Sequence, residues 1–411
     1  MSTERLLVIN AGSSSLKFHL YQVRDFEHAT YEDLSLLYAG NLSGIGTDIA
    51  HLCIRDAAGQ PILDRSAAPG EASNLGEAQA FLAHWFQEYV DGPPAAVGHR
   101  IVHGGAEMHG SVVIDDKVVD YLDELAPLAP LHQHNNLAPV HVIREHWPDL
   151  LQVACFDTAF HHSHSDMVTR YAVPERFYEK GVRRYGFHGL SYQYIAHYLQ
   201  NHLPDLYSQR VVVAHLGSGA SACIMKQGRS LDTTMGFTAL EGLPMGTRPG
   251  RLDAGVVLWW MQEGKYSADE IQDFLYNCSG MKGLSGFSAD MRELLASDDL
   301  RAQLALDYYA HHSAECLAGL GVIAQGIDAI VFTAGVGENS APIRAMIAER
   351  LGWLGVEIDP EANINAELCI STPESKISLW VIPTNEELMI ARDTLMLAQR
   401  QMRLVPEQAQ N

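Results

Sequence analysis

The same strand–turn–strand pattern occurs twice in this chain, about 200 residues apart. Residues 6–9 are apolar, a Gly/Ser turn follows at 10–15, and Leu16, Phe18 and Leu20 then alternate with polar residues. Residues 211–214 lead in the same way into the Gly-rich turn 215–221, and the run 221–225 leaves it. Alternation with period 2 indicates a strand. The repeat predicts an internal duplication into two similar α/β domains, although two unrelated tight turns would give the same pattern.

Five short segments join a turn to polar or charged side chains. They are residues 10–15, 215–221, 245–250, 333–339 and 384–387, and four of them directly follow an apolar run. Exposed backbone N–H groups in such turns bind phosphates, and nearby arginines and carboxylates neutralise phosphoryl charge or hold magnesium. One such segment is a weak signal, but together they predict an ATP-dependent phosphotransferase.

Length and charge limit the classes of protein to consider. The chain has 411 residues, which exceeds one ordinary core and suits two domains. Its formal net charge is −22, which argues against a nucleic-acid partner because such binding needs a basic face. A nucleotide remains compatible with this charge, since a few arginines and one metal ion can set the local field.

The cysteines and the first residues of the chain both indicate a reducing compartment. None of the six cysteines forms a C-x-x-C pair, and most have apolar neighbours, so buried free thiols in a reducing compartment are expected. The sequence contains no stretch of about 18 apolar residues, so no membrane span is expected. The first five residues lack the basic region of a signal peptide. We expect a cytoplasmic enzyme.

The apolar periodicity predicts further elements between these segments. Helices are expected at residues 77–90, 191–202, 302–327, 341–350 and 387–402, with a polar tail after residue 406. Strands are expected at residues 97–102 and 330–332, and the second should end in a glycine turn.

Two arginines lie beside glycine or apolar turns. Arg100 lies within residues 98–105 and Arg248 within residues 246–250. An arginine in such a position can bind two oxygens at once, which suits phosphoryl transfer. A structural salt bridge is the alternative for each.

Three other side chains are candidates for chemistry. His188 lies between Phe187 and Gly189, where the glycine permits a close approach to a ligand, although a satisfied core histidine is commoner. Asp157 ends an apolar run, as metal- and substrate-binding carboxylates do in α/β proteins, and a helix cap is the alternative. Glu386 and Glu387 open a helix, where compensation of the helix dipole would also explain them.

The histidines at 161, 162 and 164 could suggest a metal site. No partner set with zinc spacing accompanies them, so solvated loop histidines are the expectation.

Seven collinear segments resemble the acetokinase family, within the actin, hexokinase and heat-shock ATPase superfamily. They are residues 10–17, 98–105, 156–161, 183–189, 240–248, 332–339 and 385–392. The resemblance runs from about residue 6 to residue 394. Seven matches in order are far more specific than any single glycine turn.

The resemblance implies an α/β fold of two duplicated ribonuclease-H-like, actin-like domains, each with a mixed five-stranded sheet flanked by helices, and an active-site cleft between them. The domains are expected at 1–155, closed by a C-terminal helix at 395–411, and at 156–394. It also implies a homodimer. The implied reaction is reversible, direct in-line transfer of the ATP γ-phosphoryl group to acetate, with propionate or another short acid as the alternative.

The resemblance also implies site residues. The catalytic set is Arg100, Asp157, His188 and Arg248. The ATP/ADP-binding set is Asn10, Lys17, His215, Gly217, Ser218, Gly219, Asp290, Met291, Arg292, Gly335, Val336, Gly337, Glu338 and Asn339. Asn10 and Glu386 would hold Mg²⁺, or Mn²⁺ in its place. Arg100 would bind the substrate carboxylate, and Val102, Leu131, Phe187 and Ala239 would line the acyl pocket.

Some positions depart from the family pattern. Residues 132–136 read His-Gln-His-Asn-Asn where the family has His-Asn-Pro-x-Asn, and Ser218 stands where the phosphate hairpin has Asn. Ala239 stands where the acyl pocket has Pro. Alanine is smaller and less rigid, so a roomier pocket is expected, and the choice between acetate and propionate stays open.

Two other functions compete with this interpretation. A sugar or polyol kinase of the same superfamily needs a carboxylate base to deprotonate its alcohol. Paired arginines favour an anionic acceptor instead. A non-catalytic ATP-binding protein is the third hypothesis, and the complete set of charged candidates argues against it.

Overall fold

Two compact units make up the fold in the computed structural model, which describes residues 3–12, 15–90, 92–129 and 132–408. The first unit contains Met1–Ala159 and Asn385–Asn411, and the second contains Phe160–Thr384. The sequence predicted boundaries at 155/156 and 394/395. The last helix joins the first unit from its beginning because it packs on the first sheet, where Gly98 leaves room for Ile390 and Thr394.

The first unit contains an eight-stranded mixed sheet in the order β5-β4-β3-β2-β1-β6-β8-β7. Its strands are β1 (Thr3–Ala11), β2 (Ser15–Arg24), β3 (Leu34–Ser43), β4 (His51–Asp56), β5 (Pro61–Ser66), β6 (Ala96–Ile101), β7 (Val112–Val113) and β8 (Leu151–Phe156). Strands β1, β2 and β3 pair antiparallel, whereas β6 is parallel to both β1 and β8.

The second unit contains a five-stranded mixed sheet in the order β11-β10-β9-β12-β13. Its strands are β9 (Val211–Leu216), β10 (Ala220–Lys226), β11 (Arg229–Thr233), β12 (Ala329–Thr333) and β13 (Ser378–Val381). Strands β9, β10 and β11 pair antiparallel, and β12 is parallel to both β9 and β13. The same order and directions occur in β3-β2-β1-β6-β8, which confirms the duplication. The first sheet has eight strands rather than the expected five, because β4, β5 and β7 extend its edges.

Helices flank both sheets. In chain order they are α1 (Leu75–Tyr89), α2 (Asp116–Glu124), α3 (Gln133–His146), α4 (Asp166–Thr169), α5 (Glu175–Tyr178), α6 (Gly189–His202), α7 (Pro204–Tyr207), α8 (Ala254–Gln262), α9 (Ala268–Asp273), α10 (Gly280–Ser285), α11 (Met291–Leu295), α12 (Leu300–Ala324), α13 (Ala334–Asn339), α14 (Ala341–Arg350), α15 (Pro360–Ile364) and α16 (Glu386–Gln408). Short 3₁₀ turns occupy Tyr31–Asp33, Ala126–Leu128, Ala159–Ser163 and Gly352–Leu354, and a π turn occupies Phe274–Cys278.

Most helix boundaries follow from local capping. The Asn74 side chain accepts from the Glu77 N–H and starts α1, and α14 begins with Pro342 in its first turn, as predicted. Two expectations were wrong. The glycine turn after residue 332 is helix α13, entered through Ala334 at φ 64°. The last helix extends past residue 402 to Gln408.

Apolar residues from both faces of each sheet form the core. In the first unit, Phe18, Leu20 and Leu52 pack with Trp85 of α1. In the second, Val211 and Val213 pack with Tyr192 of α6. All six cysteines are free, but only Cys155 and Cys223 are buried; Cys278 is exposed and the other three lie between these extremes. Among the described residues, no helix is both long and apolar enough to span a membrane.

Candidate active site

The first unit gathers five predicted polar residues at one end of its parallel strands. This Arg100 cluster consists of Asn10, Arg100, Asp157, Glu386 and Glu387. Asn10 lies near the end of β1, Arg100 near the end of β6, and Asp157 follows β8. The glutamates begin α16. Polar side chains at the carboxyl ends of neighbouring parallel strands commonly form ligand sites in α/β folds.

Arg100 is the centre of this cluster. Its Nε and Nη2 donate to the two carboxylate oxygens of Asp157 at 3.1 and 2.6 Å. Its Nη1 donates to Asn10 Oδ1 at 3.1 Å, and Glu386 Oε2 lies 3.9 Å from its Nε. Two parallel bonds to one carboxylate fix the guanidinium plane, because both groups are planar and of matching width.

Charges in the cluster shift the pKa values of its members. Burial lowers the pKa of Arg100, but Asp157 and Glu386 outweigh it, so the net shift is upward and the guanidinium stays charged. Burial raises the pKa of Glu386, and Arg100 opposes that rise. The cluster therefore holds a charged arginine next to the carboxylates of Asp157 and Glu386.

Asn10 links the arginine to a second group of charges. Its Nδ2 donates to Glu387 Oε1 at 3.4 Å. Burial raises the pKa of Glu387, but His19 and Lys17 outweigh it and the net shift is downward. Lys17 lies opposite Asn10 on β2, which puts this predicted ATP ligand next to the cluster. Residues 13 and 14 of the turn lie outside the described residues.

The predicted acyl-pocket residues of the first unit are partly placed. Val102 is buried and its N–H donates to Asn136 Oδ1 at 2.8 Å, whereas Leu131 lies outside the described residues. Asn136 also donates to the carbonyl of Ala11, so it ties the ends of β1 and β6 together. Sequence reasoning gave Asn136 no role, and its position in the departing 132–136 segment was the only available signal.

The second unit gathers three predicted residues, His188, His215 and Arg248, with two that were not predicted, Tyr192 and Ser221. This His188 cluster consists of His188, Tyr192, His215, Ser221 and Arg248. His188 precedes α6 with φ 58°, a left-handed conformation that is rare for a residue with a side chain. Its Nδ1 lies 2.8 Å from Ser221 Oγ on β10, and that oxygen also contacts the Tyr192 hydroxyl. Backbone strain of this kind often marks a functional site.

The phosphate-type hairpin of the second unit contacts both basic groups. His215 stacks on His188 with ring centroids 4.2 Å apart, and its Nδ1 lies 2.9 Å from Ser191 Oγ. A Cβ at Gly219 would lie 2.7 Å from Arg248 Nη2 and 3.4 Å from His188 Nε2. Only glycine therefore lets this turn approach the two side chains so closely.

Backbone bonds hold the rest of that turn. The Gly217 N–H donates to the Gly219 carbonyl at 3.0 Å, and the Gly246 N–H donates to the Ser218 carbonyl at 3.1 Å. The second bond joins the hairpin to the loop that carries Arg248. The predicted phosphate turn and the predicted arginine loop are thus one connected surface within this unit.

Arg248 is oriented by the backbone rather than by a carboxylate. Its Nη1 donates to the Ala239 carbonyl at 2.8 Å, and burial lowers its pKa. The buried Phe187 precedes His188, and its carbonyl faces His161 Nε2 at 3.0 Å. The structure thus brings Phe187 and Ala239, both predicted for the acyl pocket, next to His188 and Arg248 respectively.

The predicted adenosine segments differ in exposure. Asp290 caps α11 and pairs with the exposed Arg292, while Met291 is buried. The segment Gly335, Val336, Gly337, Glu338 and Asn339 lies within α13. Glu338 Oε1 accepts from the N–H groups of Ala334 and Thr384, which fixes the start of α13.

Arg344, which sequence reasoning gave no role, supports α13 from beneath. It is fully buried and donates to the carbonyls of Gly337 and Glu338 at 2.9 and 2.8 Å. It also donates to Asn363, at 2.8 Å to the side chain and 2.6 Å to the carbonyl. No short-range pattern marks an arginine buried in this way.

The histidines at 161 and 164 are structural, so the expectation of solvated loop residues was wrong. His161 is 2% exposed, and its Nδ1 lies 2.9 Å from Ser230 Oγ. His164 Nε2 lies 2.7 Å from the same oxygen. Burial lowers the pKa of His161 to about 4 and that of His164 to about 2, so both are neutral.

No group of three or more His, Cys, Asp or Glu side chains in the described part of the chain could hold a metal ion by itself.

Comparisons with known proteins agree on one family. A sequence profile described as the acetokinase family matches residues 5–392. The acetate kinase of Nitrobacter hamburgensis is 48% identical over 394 residues, covering 96% of each chain. That of Methylocella silvestris is 48% identical over 395 residues, covering 95% of this chain and 97% of its own.

Solved structures give the same result. A propionate kinase from Francisella tularensis superposes with a TM-score of 0.86 at 34% identity, covering 96% of this chain and all of its own. The acetate kinase of Porphyromonas gingivalis superposes with a TM-score of 0.81 at 34% identity, covering 96% of this chain and 99% of its own. These matches extend over both units.

Proposed function

The chain belongs to the acetokinase family, and from that membership we propose that it is an acetate kinase, which reversibly transfers the γ-phosphoryl group of ATP to acetate. The products are acetyl phosphate and ADP. Acetate is already ionised at pH 7, with a pKa of about 4–5, so the attacking oxygen needs no general base. The task of the protein is to bring anions together in line and to neutralise the charge that develops.

The contact between Arg100 and Asp157 is the observation that carries this choice of acceptor. An alcohol kinase would need a free carboxylate as base, but both oxygens of Asp157 accept hydrogen bonds from Arg100. A carboxylate bonded in this way orients the guanidinium. Arg100, held in this way, is suited to bind the carboxylate of acetate.

The proposal assigns the magnesium site to Asn10 and Glu386. Mg²⁺ prefers oxygen ligands and is often held by one or two carboxylates together with substrate phosphates. The side-chain oxygens of Asn10, Glu386 and Glu387 lie in one cluster, so the donor set fits this ion. Asn10 and Glu386 would hold the ion, which when bound would supply positive charge to offset that of the phosphates. The raised pKa of Glu386 is consistent with a carboxylate that gains a cation.

The second unit would act on the ATP phosphates. We assign His188 and Arg248 to the transferring phosphoryl group, because both approach the glycine turn at Gly219. His215, Gly217 and Ser218 with their turn would bind the phosphate next to it, since backbone N–H groups in such turns bind phosphates. Lys17 in the first unit would add positive charge.

Two segments of the second unit would bind adenosine. They are residues 290–292 and helix α13, and the fixed start of α13 supports the assignment because a nucleoside site needs a rigid backbone. The acyl pocket is assigned to Val102, Leu131, Phe187 and Ala239.

Hydroxylamine trapping tests the activity. Purified protein with ATP and Mg²⁺ is incubated with acetate, propionate, butyrate, glycerol, glucose or no acceptor. Hydroxamate formation with the highest kcat/KM on acetate is expected. An optimum on propionate would keep the mechanism and change the substrate, and Ala239→Pro should then shift the preference toward acetate. Nucleotide binding without hydroxamate from any acid would overturn the proposal.

The proposal includes a homodimer in the cytoplasm. Helix α8 has no buried residue, although it is apolar, and Leu258, Trp259 and Met261 are 54, 58 and 52% exposed. Exposed apolar helix faces commonly cover each other in oligomers. A second copy of the chain is the occupant that the family resemblance implies. Six free thiols suit a reducing compartment.

A further inference from the structure

Three side chains of the second unit meet beside the loop that follows strand β11, and we call them the Glu241 network. Glu241 Oε1 accepts from Arg184 Nη1 at 2.9 Å, and its Oε2 accepts from the Tyr171 hydroxyl at 2.6 Å. The Tyr171 oxygen accepts in turn from the Phe237 N–H at 2.8 Å, and Arg184 Nη2 donates to the Thr233 carbonyl at 2.7 Å. A guanidinium and a backbone N–H only donate, so these hydrogen bonds have one possible direction.

The loop beside this network has no regular secondary structure. Strand β11 ends at Thr233 and helix α8 begins at Ala254, so neither a ladder nor a helix fixes the backbone between them. A cavity of about 210 Å³ lies against the loop and is lined in part by Tyr171, Phe237 and Leu240. Packing is therefore incomplete on that side, and hydrogen bonds to side chains have to supply the order of the loop.

Ala239 lies between two residues that the network holds. Phe237 and Glu241 are each two positions away from it. The Ala239 carbonyl accepts from Arg248 Nη1 at 2.8 Å, and no other acceptor among the described residues bonds this guanidinium. The orientation of Arg248 therefore depends on where the loop holds one carbonyl group.

Gly236 lets the network form and joins it to a second part of the site. A Cβ at this position would overlap both Glu241 Oε2 and the tyrosine hydroxyl bonded to it. The Gly236 carbonyl accepts from the N–H groups of residues 185 and 186 at 2.9 and 3.3 Å. Those residues belong to the segment that leads to His188, so the same loop contacts the backbone of both basic groups.

We propose that Glu241 is a positioning residue, which with Arg184 and Tyr171 fixes the loop whose Ala239 carbonyl orients Arg248. The three side chains act through Arg248 rather than on the substrate. The consequence for phosphoryl transfer rests on the proposed function, whereas the orientation of the guanidinium does not.

The chemistry of Glu241 explains why a carboxylate is needed. Two oxygens are required, one for the guanidinium and one for the phenol, and a carboxamide would offer a single acceptor. Glu241→Gln therefore keeps the shape of the side chain but leaves Arg184 or Tyr171 without its partner. Burial raises the pKa of Tyr171 and Glu241 raises it further, so the phenol keeps the proton that it donates.

Side-chain NMR of protein labelled with ¹³C and ¹⁵N in arginine tests the orientation without turnover. The Arg248 signals are assigned by their loss in Arg248→Lys. In the wild-type protein its two Nη nitrogens should give separate signals, because the hydrogen bond to Ala239 slows rotation of the guanidinium. Glu241→Gln and Tyr171→Phe should merge or broaden these two signals.

Matched controls come from the same unit. Glu315 also accepts from one arginine, Arg251, at 2.8 Å, and Tyr309 has a buried hydroxyl without a hydrogen-bond partner among the described residues. Glu315→Gln and Tyr309→Phe should leave the Arg248 signals unchanged. Circular dichroism on all four variants checks that each is folded.

A kinetic cycle separates positioning from a general loss of structure. Glu241→Gln should lower kcat by roughly 10- to 100-fold, the scale of a small misplacement of a catalytic group. KM for ATP should change less than threefold. In an Arg248→Ala background the same substitution should change kcat less than twofold, because its effect requires the guanidinium. A merely structural role would lower kcat equally in both backgrounds.

The outcomes distinguish this inference from the proposed function. Merged Arg248 signals in the wild-type protein, or separate signals that neither Glu241→Gln nor Tyr171→Phe alters, would overturn the inference even if hydroxamate forms. Equal losses of kcat in both backgrounds would also overturn it. Separate signals that merge in both variants of a protein that phosphorylates no acid would support the positioning of Arg248 and overturn the proposed function.

Discussion

The guanidinium of Arg100 contacts both carboxylate oxygens of Asp157 across neighbouring parallel strands, at 3.1 and 2.6 Å. Strand β6 carries the arginine, and the aspartate follows β8 at the same edge of the sheet. The two parallel hydrogen bonds fix the plane of the guanidinium.

Replacing Asp157 by Asn should abolish most activity without unfolding the protein. Asparagine keeps one acceptor but loses the charge and the two-point contact. We expect kcat/KM for acetate to fall by roughly 100-fold or more, the scale of one lost preorganised group. Asp328→Asn is the matched control, because Asp328, in the second unit, also accepts from two nitrogens of one arginine, Arg210. Wild-type kinetics for Asp157→Asn would remove this contact from the mechanism.

Arg248→Ala should lower kcat by about 100- to 1,000-fold, because it removes a cation from the transferring phosphoryl group. The fold should persist, because the guanidinium of Arg248 is held by a hydrogen bond to the Ala239 carbonyl. Arg251→Ala in the same loop is the control; Arg251 is 68% exposed and pairs with Glu315. Circular dichroism and steady-state kinetics on both variants provide the comparison. Equal activity in the two would contradict the assignment.

Stability should fall steeply between pH 6.5 and pH 4. Burial lowers the pKa of His99, His103 and His161 to about 4. Below pH 6.5 the unfolded chain binds protons that the folded chain does not. Each histidine therefore lowers the free energy of unfolding by about 1.4 kcal/mol for every unit by which the pH falls in that window. Above pH 6.5 the contribution is constant, because neither state binds these protons.

Thermal unfolding over a pH series measures this dependence. His99→Asn should make the acid slope shallower, whereas His28→Asn should leave the slope unchanged because His28 is 70% exposed. A flat profile for the wild-type protein from pH 6.5 to pH 4.5 would show that these histidines are not buried and neutral.

Arg344→Met should destabilise the second unit and weaken ADP binding. It removes the Arg344 donor from the carbonyls of Gly337 and Glu338 and from the side-chain oxygen of Asn363, at about 1–3 kcal/mol each. Urea unfolding and ADP titration test both effects. Arg350→Met is the control, since Arg350 lies on the same helix but pairs with Asp307, whose side chain is 64% exposed. Unchanged stability in Arg344→Met would show that the buried cation is dispensable.

Trp259→Glu should convert a dimer into a monomer, because a charge on α8 cannot be buried against a second copy without a partner. Light scattering after size exclusion measures the mass of each species. Trp353→Glu is the control, since Trp353 is also exposed, at 76%. A wild-type protein that is monomeric would refute the dimer.

The local pattern was sufficient for much of the fold. Alternation around Leu16 and Phe18 predicted β2, the repeat at residues 211–225 predicted the duplicated hairpin, and Pro342 predicted the start of α14. These features depend on a few adjacent residues, so they can be read without knowing what the segment contacts. The additional strands β4, β5 and β7 were not predicted, although Leu52 and Ile54 of β4 alternate with less buried residues.

The contacts of the site were beyond the sequence. Asn10 and Glu387 are 377 positions apart, yet Asn10 donates to Glu387. His161 was expected in solvent but lies buried beneath the Phe187 carbonyl. The glycine turn expected after β12 became helix α13, which buried Arg344 stabilises through two carbonyls.

By itself the sequence determined the two α/β halves, the family and the residue types available for phosphoryl transfer. It did so because strand periodicity, turn chemistry and motif order are local properties. Only the tertiary structure decided that Asp157 is bound to Arg100 and that Ser221 and Tyr192 lie beside His188. Those partners are set by strand order and by burial, which removes water and obliges each polar group to find a neighbour from distant parts of the chain.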